Sequence, residues 1–92
     1  MAYELMLSAK AEKDLAWHAK SGNKTSIKKI YILFEELVNH PYTGTGKPEP
    51  LRGDLAGYWS RRINKKDRII YQINEDSITV MVISTRGHYG DK

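Results

Sequence analysis

The sequence predicts an α+β fold in which two N-terminal helices pack on one face of a small, mainly antiparallel sheet. Three observations support this: a short apolar segment at the start, two stretches of helical periodicity, and three closely spaced strand-like segments in the second half. The predicted element order is β-α-α-β-β-β. Ninety-two residues suffice for one core, and no linker or repeat divides them, so residues 1–92 are expected to form a single domain.

The first half is expected to begin with a strand over residues 3–7, followed by a helix. Ser8 is suited to capping this helix, which is expected to run to Ser21 and to stop at Gly22. Its narrow apolar stripe consists of Ala11, Leu15 and Ala19.

Residues 24–39 carry the clearest helical periodicity in the chain, so a second helix is predicted there, ended by His40-Pro41. Apolar residues recur with the i, i+3, i+4, i+7 spacing of a buried helix face. They are Ile27, Ile30, Tyr31, Phe34, Leu37 and Val38.

The second half is expected to contain a loop over residues 41–53 and then three strands, at 56–63, 68–73 and 78–84. Because the turns between these strands are short, the strands should be antiparallel neighbours. The last strand is apolar on both sides, which suits a central strand. It also permits a homodimer that covers the second face of the sheet.

Alternation along the strands decides which side chains share a face of the sheet. In the strand at 68–73, Ile69, Tyr71 and Ile73 are the better core candidates. Arg68 is therefore expected on the face away from the helices. The adjacent residues Arg61 and Arg62 should point to opposite faces.

The distribution of charge points to an anionic partner. The net charge is +4, and all five arginines lie in the second half, beside Tyr58, Trp59 and Tyr71. Arginine forks suit phosphate and aromatic rings suit bases, so RNA is the expected partner. A solvated basic face that aids solubility is an equally good reading of composition alone.

Several classes of site and location are not supported. The chain has no cysteine, and its histidines (His18, His40 and His88) are far apart, so no metal site and no cofactor are predicted. His18 and His40 are expected to be ordinary surface or capping residues. The first residues do not form a signal peptide and no apolar run is long enough to span a membrane, so a cytoplasmic location is expected.

Metal-free acid–base chemistry on an RNA phosphodiester remains open. Cleavage through the 2′-hydroxyl needs a base, an acid and cations near the phosphorus. Glu49 could serve as the base, because Pro48 and Pro50 restrict its backbone, and His88 could serve as the acid. Arg62 and Arg68 could supply the positive charge.

The segment GTGKPEPLRGDLAGYWSRRINKKDRIIYQI, together with the near-terminal RGHY, resembles the YoeB-type toxins of the RelE superfamily. The resemblance covers essentially the whole chain. It implies a RelE-like fold and a ribosome-dependent endoribonuclease that cuts mRNA and stops translation. It also implies a cognate antitoxin, similar to YefM, that covers the site with an acidic segment.

Carried over by position, the resemblance assigns four residues to catalysis. Glu49 corresponds to the general base, Arg68 to the arginine that stabilises the transition state, His88 to the general acid, and Tyr89 to a residue that holds the substrate nucleotide. This chain continues beyond Tyr89 with Gly90-Asp91-Lys92, unlike many family members. The residues expected to contact RNA phosphates are Lys47, Arg52, Arg61, Arg62 and Arg86.

Two other functions are compatible with the sequence. One is a non-catalytic toxin of the same superfamily that binds a protein target such as DNA gyrase. The other is an RNA-binding module without chemistry, whose binding would weaken with salt but yield no cleaved product.

Overall fold

A computed structural model describes residues 2–87 as two helices packed against a five-stranded sheet. The predicted α+β class is confirmed, with one strand more than expected. In chain order the elements are β1 (Glu4–Leu7), α1 (Ala9–Ser21), α2 (Lys24–Asn39), β2 (Glu49–Pro50), a 3₁₀ turn (Gly53–Leu55), β3 (Tyr58–Arg62), β4 (Arg68–Asn74) and β5 (Thr79–Ser84).

The strands are arranged in the order β1-β5-β4-β3-β2. β1 pairs with β5 in parallel, which is possible because a long connection, from α1 to β4, separates them in the chain. The pairs β5-β4, β4-β3 and β3-β2 are antiparallel. The strand that is apolar on both sides, β5, is therefore flanked by neighbours on either side, as its sequence suggests.

Capping residues place both helices at their predicted bounds. The Ser8 hydroxyl accepts a hydrogen bond from the Ala11 amide at 3.0 Å, and Gly22 ends α1 in a left-handed conformation with φ of 76°. The Asn23 side chain accepts from the Ser26 amide at 3.0 Å and starts α2. His40 ends it, as expected for the residue before a proline.

The core lies between the helices and one face of the sheet. α2 contributes Ile30, Phe34 and Leu37, as predicted. It also buries Leu33 rather than Tyr31, whose side chain is exposed. The predicted stripe was wrong at this point because α2 packs on the face centred between Ile30 and Leu37. The sheet contributes Ile63, Ile69, Tyr71, Val80 and Val82.

The additional strand, β2, lies inside the segment that was predicted to be a loop. Glu49 stands opposite Ser60 in the pairing with β3. Two backbone bonds hold the segment: the Arg62 amide donates to the Gly46 carbonyl at 2.7 Å, and the Leu51 amide donates to the Tyr58 carbonyl at 2.8 Å. Proline cannot donate such bonds, so this strand is restricted to the sheet edge.

None of the helices within residues 2–87 is long and apolar enough to cross a membrane.

Candidate active site

Glu49 and Arg68 form the centre of the candidate site, on the sheet face away from the helices. The Oε1 atom of Glu49 lies 3.8 Å from Nη1 of Arg68. The Glu49 side chain is 62% exposed, whereas that of Arg68 is only 20% exposed. The same Nη1 donates to the Ser60 hydroxyl at 3.3 Å, which holds the guanidinium in the direction of Glu49. An accessible carboxylate and a partly immobilised cation thus share one surface.

Arg62 adds a second guanidinium to this surface. It lies directly opposite Arg68 in the antiparallel pairing of β3 and β4. Cross-strand partners are close neighbours, and like charges in such positions repel each other. A bound phosphate would relieve this repulsion, so the Arg62–Arg68 pair favours an anionic ligand beside Glu49.

A cationic groove of about 350 Å³ adjoins Arg62. Lys47 contributes to it from a left-handed backbone conformation with φ of 55°, which is unfavourable for a residue other than glycine. Lys29 on α2 and Lys65 in the β3–β4 turn were not predicted as site residues, because nothing in the sequence places them next to Lys47 and Arg62. The groove is lined by Lys29, Gly46, Lys47, Arg62, Ile63, Asn64 and Lys65.

Arg61 does not belong to the site, and its prediction as a phosphate ligand was wrong. Its side chain is fully buried on the helix-covered face of the sheet. Nε donates to the Tyr71 hydroxyl at 3.0 Å, Nη1 to Glu36 at 2.9 Å, and Nη2 to the carbonyls of His40 and Thr43, both at 2.7 Å. These bonds occupy the guanidinium inside the protein, so it is not available to RNA. Successive side chains of a strand point to opposite faces, so the sequence already indicated that Arg61 and Arg62 cannot both lie on the open face.

Tyr71, predicted to lie beside the arginines as a stacking surface, is also fully buried. Its hydroxyl donates to the Pro41 carbonyl at 3.0 Å. Burial raises the pKa of this hydroxyl above its ordinary value, against the opposing effect of Arg61. Tyr71 therefore supports the core and cannot stack on a base.

Glu36 is the acidic partner of Arg61. Partial burial by itself raises the pKa of this carboxyl, but hydrogen bonds from Thr45 and the charge of Arg61 outweigh it and lower the pKa below 4.5. The Thr45 amide donates at 2.8 Å, and the Thr45 hydroxyl bonds to the other carboxylate oxygen. Gly44 has a φ of 128°, which other residues rarely adopt, and an added Cβ would clash with Glu36 Oε1. Glycine is therefore required at this position.

The two remaining arginines, Arg52 and Arg86, make no ion pair with Glu49 among the described residues. Arg86 stacks on Trp17 of α1, with its guanidinium carbon 3.7 Å from the ring centroid. It is thus directed to the helix side of the sheet, away from Arg68. Arg52 is exposed in the turn that follows β2.

His88 and Tyr89, the predicted acid and nucleotide-holding residue, lie outside the described residues. The described chain nevertheless ends beside the site, since the Arg68 amide donates to the Gly87 carbonyl at 3.0 Å. Gly87 immediately precedes His88 in the sequence. The backbone thus connects the residue before His88 directly to Arg68.

His18 was predicted to be an ordinary surface or capping residue, and this was wrong. Only 1% of it is exposed, and its Nε2 lies 2.8 Å from the Thr85 carbonyl oxygen. Asp14, one turn earlier, is also buried. Their spacing places both residues on the same helix face as Ala11 and Leu15. This spacing was the sequence signal that could have predicted their burial. Their contacts reach the segment that leads to His88.

Comparisons with known proteins identify the family of this chain. A family model, the YoeB-like toxin of bacterial type II toxin–antitoxin system, matches residues 7–89. The YoeB toxin of Synechocystis sp. is 40% identical over 80 residues, which cover 83% of this chain and 91% of that toxin.

Solved structures give the same result. A YoeB/ParE toxin from Agrobacterium tumefaciens is 35% identical, with a TM-score of 0.85 over 94% of this chain and 99% of that one. Staphylococcus aureus YoeB has been solved as a dimer and in a complex with YefM. These structures give TM-scores of 0.80 and 0.78 at 31% and 32% identity, over 95% of this chain and 98% of theirs. The chain belongs to the YoeB-like toxin family of bacterial type II toxin–antitoxin systems.

Proposed function

We propose that this toxin is an endoribonuclease that cleaves mRNA in the ribosome by acid–base chemistry and thereby stops translation. The observation that carries the proposal is the exposed Glu49 carboxylate 3.8 Å from the Arg68 guanidinium, on the sheet face that also bears Arg62. A base and cations near the phosphorus are two of the three requirements of phosphodiester cleavage through the 2′-hydroxyl, the third being an acid.

In the proposed reaction, Glu49 removes the proton from the 2′-hydroxyl, and the 2′-oxygen forms a bond to the phosphorus. Arg68 and Arg62 stabilise the charge that accumulates on the phosphoryl oxygens. The bond between phosphorus and the 5′-oxygen breaks as His88 donates a proton to that oxygen. The first products are a 2′,3′-cyclic phosphate and a 5′-hydroxyl. Tyr89 holds the nucleotide, and no metal or cofactor takes part.

The cationic groove supplies the proposed contacts to RNA phosphates outside the reacting linkage. Lys47 and Arg62 line it, and the unpredicted Lys29 and Lys65 extend it. Arg52 is proposed to contact phosphate from its exposed turn, and Arg86 from its position on Trp17. Such contacts strengthen binding to any sequence and weaken it as salt rises.

The same basic surface is the proposed binding site for an antitoxin. An acidic segment laid over Glu49, Arg62 and Arg68 would exclude RNA by occupying the cations. The complex of the related S. aureus YoeB with YefM supports a partner of this kind.

The proposal is tested by primer extension on mRNA bound to ribosomes. Wild-type toxin is expected to give discrete cleavage products, and Glu49→Ala and Arg68→Ala are expected to give none while remaining folded. Glu35→Ala and Lys13→Ala, which remove exposed charges on the helices, serve as matched controls and should cleave normally. A toxin sample treated with EDTA should remain active. The EDTA is removed by desalting before the assay, because ribosomes themselves need magnesium.

The other functions give different results in this experiment. Growth arrest of cells in which ribosome-bound mRNA stays intact would contradict cleavage and would favour a protein target such as DNA gyrase. Binding to RNA that weakens with salt, without cleaved products, would favour a simple binding module.

A further inference from the structure

The four residues before His88 are held in place by bonds from three parts of the molecule. Thr85 is bound on both sides of its backbone by helix α1. Its amide donates to Oδ2 of Asp14 at 3.0 Å, and its carbonyl oxygen accepts from Nε2 of His18 at 2.8 Å. Because Asp14 and His18 are one helical turn apart, they act on the same peptide segment from the same helix face.

Gly87 is bound in the same way from the β3–β4 turn. Its amide donates to Oδ1 of Asp67 at 2.8 Å, and its carbonyl accepts from the Arg68 amide at 3.0 Å. Alternate residues of the segment are therefore fixed by α1 and by the strand end that carries Arg68. These four bonds fix the backbone of Thr85 and Gly87, the latter being the last described residue before His88.

The burial of Asp14 and His18 shows that these bonds are not incidental. Asp14 is 7% exposed and His18 is 1% exposed, and a buried polar side chain is costly unless it is hydrogen-bonded. Apolar residues at these positions would cover the sheet without that cost. Lys10 compensates the Asp14 charge, with its Nζ 2.9 Å from Oδ2. The two buried polar side chains of α1 are thus the ones that bond to the backbone of Thr85.

We propose that Asp14 and His18 are positioning residues for His88. They act through the backbone of residues 84–87 and place the general acid relative to Glu49 and Arg68. This inference rests on the proposed function, in which His88 protonates the leaving oxygen. A displacement of about 1 Å in a catalytic group can reduce the rate by about 100-fold, so loss of these bonds should slow the chemical step.

Three variants probe the positioning role. His18→Leu retains most of the side-chain volume but removes the donor to the Thr85 carbonyl. His18→Gln provides an amide donor of similar reach and is the rescue variant. Asp67→Ala releases Gly87 from the less buried turn, and so it tests the same segment if His18→Leu does not fold. Glu12→Gln, on the exposed side of α1, is the matched control.

The first measurement is single-turnover cleavage of ribosome-bound mRNA. We expect His18→Leu and Asp67→Ala to lower the maximal rate about 10- to 100-fold, with little change in the toxin concentration for half-maximal rate. His18→Gln should recover most of the rate, and Glu12→Gln should match wild type.

The second measurement uses mRNA in which sulfur replaces the bridging 5′-oxygen at the cleaved linkage. A thiolate leaves without protonation, so this substrate does not need the general acid. We expect the defects of His18→Leu, Asp67→Ala and His88→Ala to shrink to a few-fold on it. The defect of Glu49→Ala should persist, because the 2′-hydroxyl still has to be deprotonated.

These outcomes separate the inference from the proposed function. If wild-type toxin cleaves, His88→Ala is defective, and folded His18→Leu and Asp67→Ala cleave like wild type, the positioning role is overturned. It is also overturned if their defects are equally large on the sulfur substrate, since that result indicates a general structural effect. If wild-type toxin yields no cleavage at all, the proposed function itself fails.

Discussion

Glu49 and Arg68 face each other across strand β3, with 3.8 Å between Oε1 and Nη1, although they belong to strands that do not pair with each other. Their common neighbour is Ser60, which stands opposite Glu49 and accepts a hydrogen bond from Arg68. The distance is long for an ion pair, and the Glu49 side chain is open to solvent. The pair is therefore suited to exchanging its contacts for those of a substrate rather than to holding the fold together.

A double-mutant cycle should show that the Glu49–Arg68 pair contributes little to stability although cleavage requires it. Because exposed ion pairs contribute little, we expect the coupling between Glu49→Gln and Arg68→Gln to be below about 1 kcal/mol in the free energy of unfolding. Each single variant should nevertheless lose mRNA cleavage. Denaturant unfolding and primer extension measure the two quantities. A coupling of several kcal/mol would assign the pair to stability instead.

The adjacent arginines of β3 should behave in opposite ways. Arg61→Ala removes the four hydrogen bonds of a buried guanidinium and leaves Glu36 without its cation, so we expect a loss of about 3 to 5 kcal/mol in the free energy of unfolding. Arg62→Ala is expected to change it by less than about 0.5 kcal/mol and to impair cleavage. Urea unfolding of both variants is the measurement. Equal stabilities would show that the buried network contributes little.

Acid should weaken the fold through Glu36. Since the folded protein lowers the pKa of this carboxyl below 4.5, its ionised form stabilises the native state above that pH. This contribution is lost as pH falls through the lower folded value. We expect Glu36→Gln to be less stable than wild type at pH 7, with a difference that shrinks below pH 4.5. Glu35→Gln, exposed on the same helix, should follow the wild-type curve in unfolding measured from pH 7 to 3.

Two substitutions at Lys47 should separate charge from backbone conformation. Both Lys47→Gly and Lys47→Ala remove the same charge, so each should reduce the slope of log affinity against log salt by about 0.7 for single-stranded RNA. Glycine also tolerates the φ of 55°, so Lys47→Gly should be about 1 kcal/mol more stable than Lys47→Ala. Fluorescence anisotropy and thermal unfolding measure these effects. Equal stability would contradict a strained backbone.

Removing either of two neighbouring hydroxyls at the end of β5 should change the free energy of unfolding, but in opposite directions. Thr85 is fully buried, and no group within residues 2–87 bonds to its Oγ1 atom. Thr85→Val keeps the shape and removes this unpaired group, so we expect a gain of about 1 kcal/mol. The Ser84 hydroxyl bonds to Asp14 and to the Arg86 carbonyl, so Ser84→Ala should lose about 1 kcal/mol. Thermal unfolding is the measurement, and unfolding temperatures that shift in the same direction for both variants would contradict the prediction.

Much of the fold could be predicted because local signals were strong. Ser8 and Gly22 mark α1 by capping chemistry, and the strand alternation correctly placed Arg68 on the open face. β2 could not be predicted, because a two-residue strand that follows Pro48 and includes Pro50 has no periodicity of its own. It is defined by its pairing with β3. The side chain of Tyr31 was misplaced because helical periodicity leaves the exact packing angle of α2 undetermined.

The site was predictable where the sequence carries a compact motif, as at Glu49 and Arg68, which the structure brings together. It was not predictable where residues act from distant elements. Lys29 and Lys65 meet in the groove through tertiary packing, and His18 reaches Thr85 across 67 positions of sequence. Arg61 shows the opposite error, because composition alone does not distinguish an arginine that binds a partner from one that binds the protein's own carbonyls.

The burial of Arg61 has a consequence for the register of β3. Side chains alternate along a strand, so a slip by one residue would bring Arg62 into the core and expel Arg61 to the surface. Only in the native register does the buried guanidinium meet Glu36, Tyr71 and the two carbonyls of the α2–β2 loop. These bonds therefore select one alignment among those that two successive arginines would otherwise allow. A buried side chain thus determines that Arg62 is the arginine of β3 that stands opposite Arg68 on the open face of the sheet.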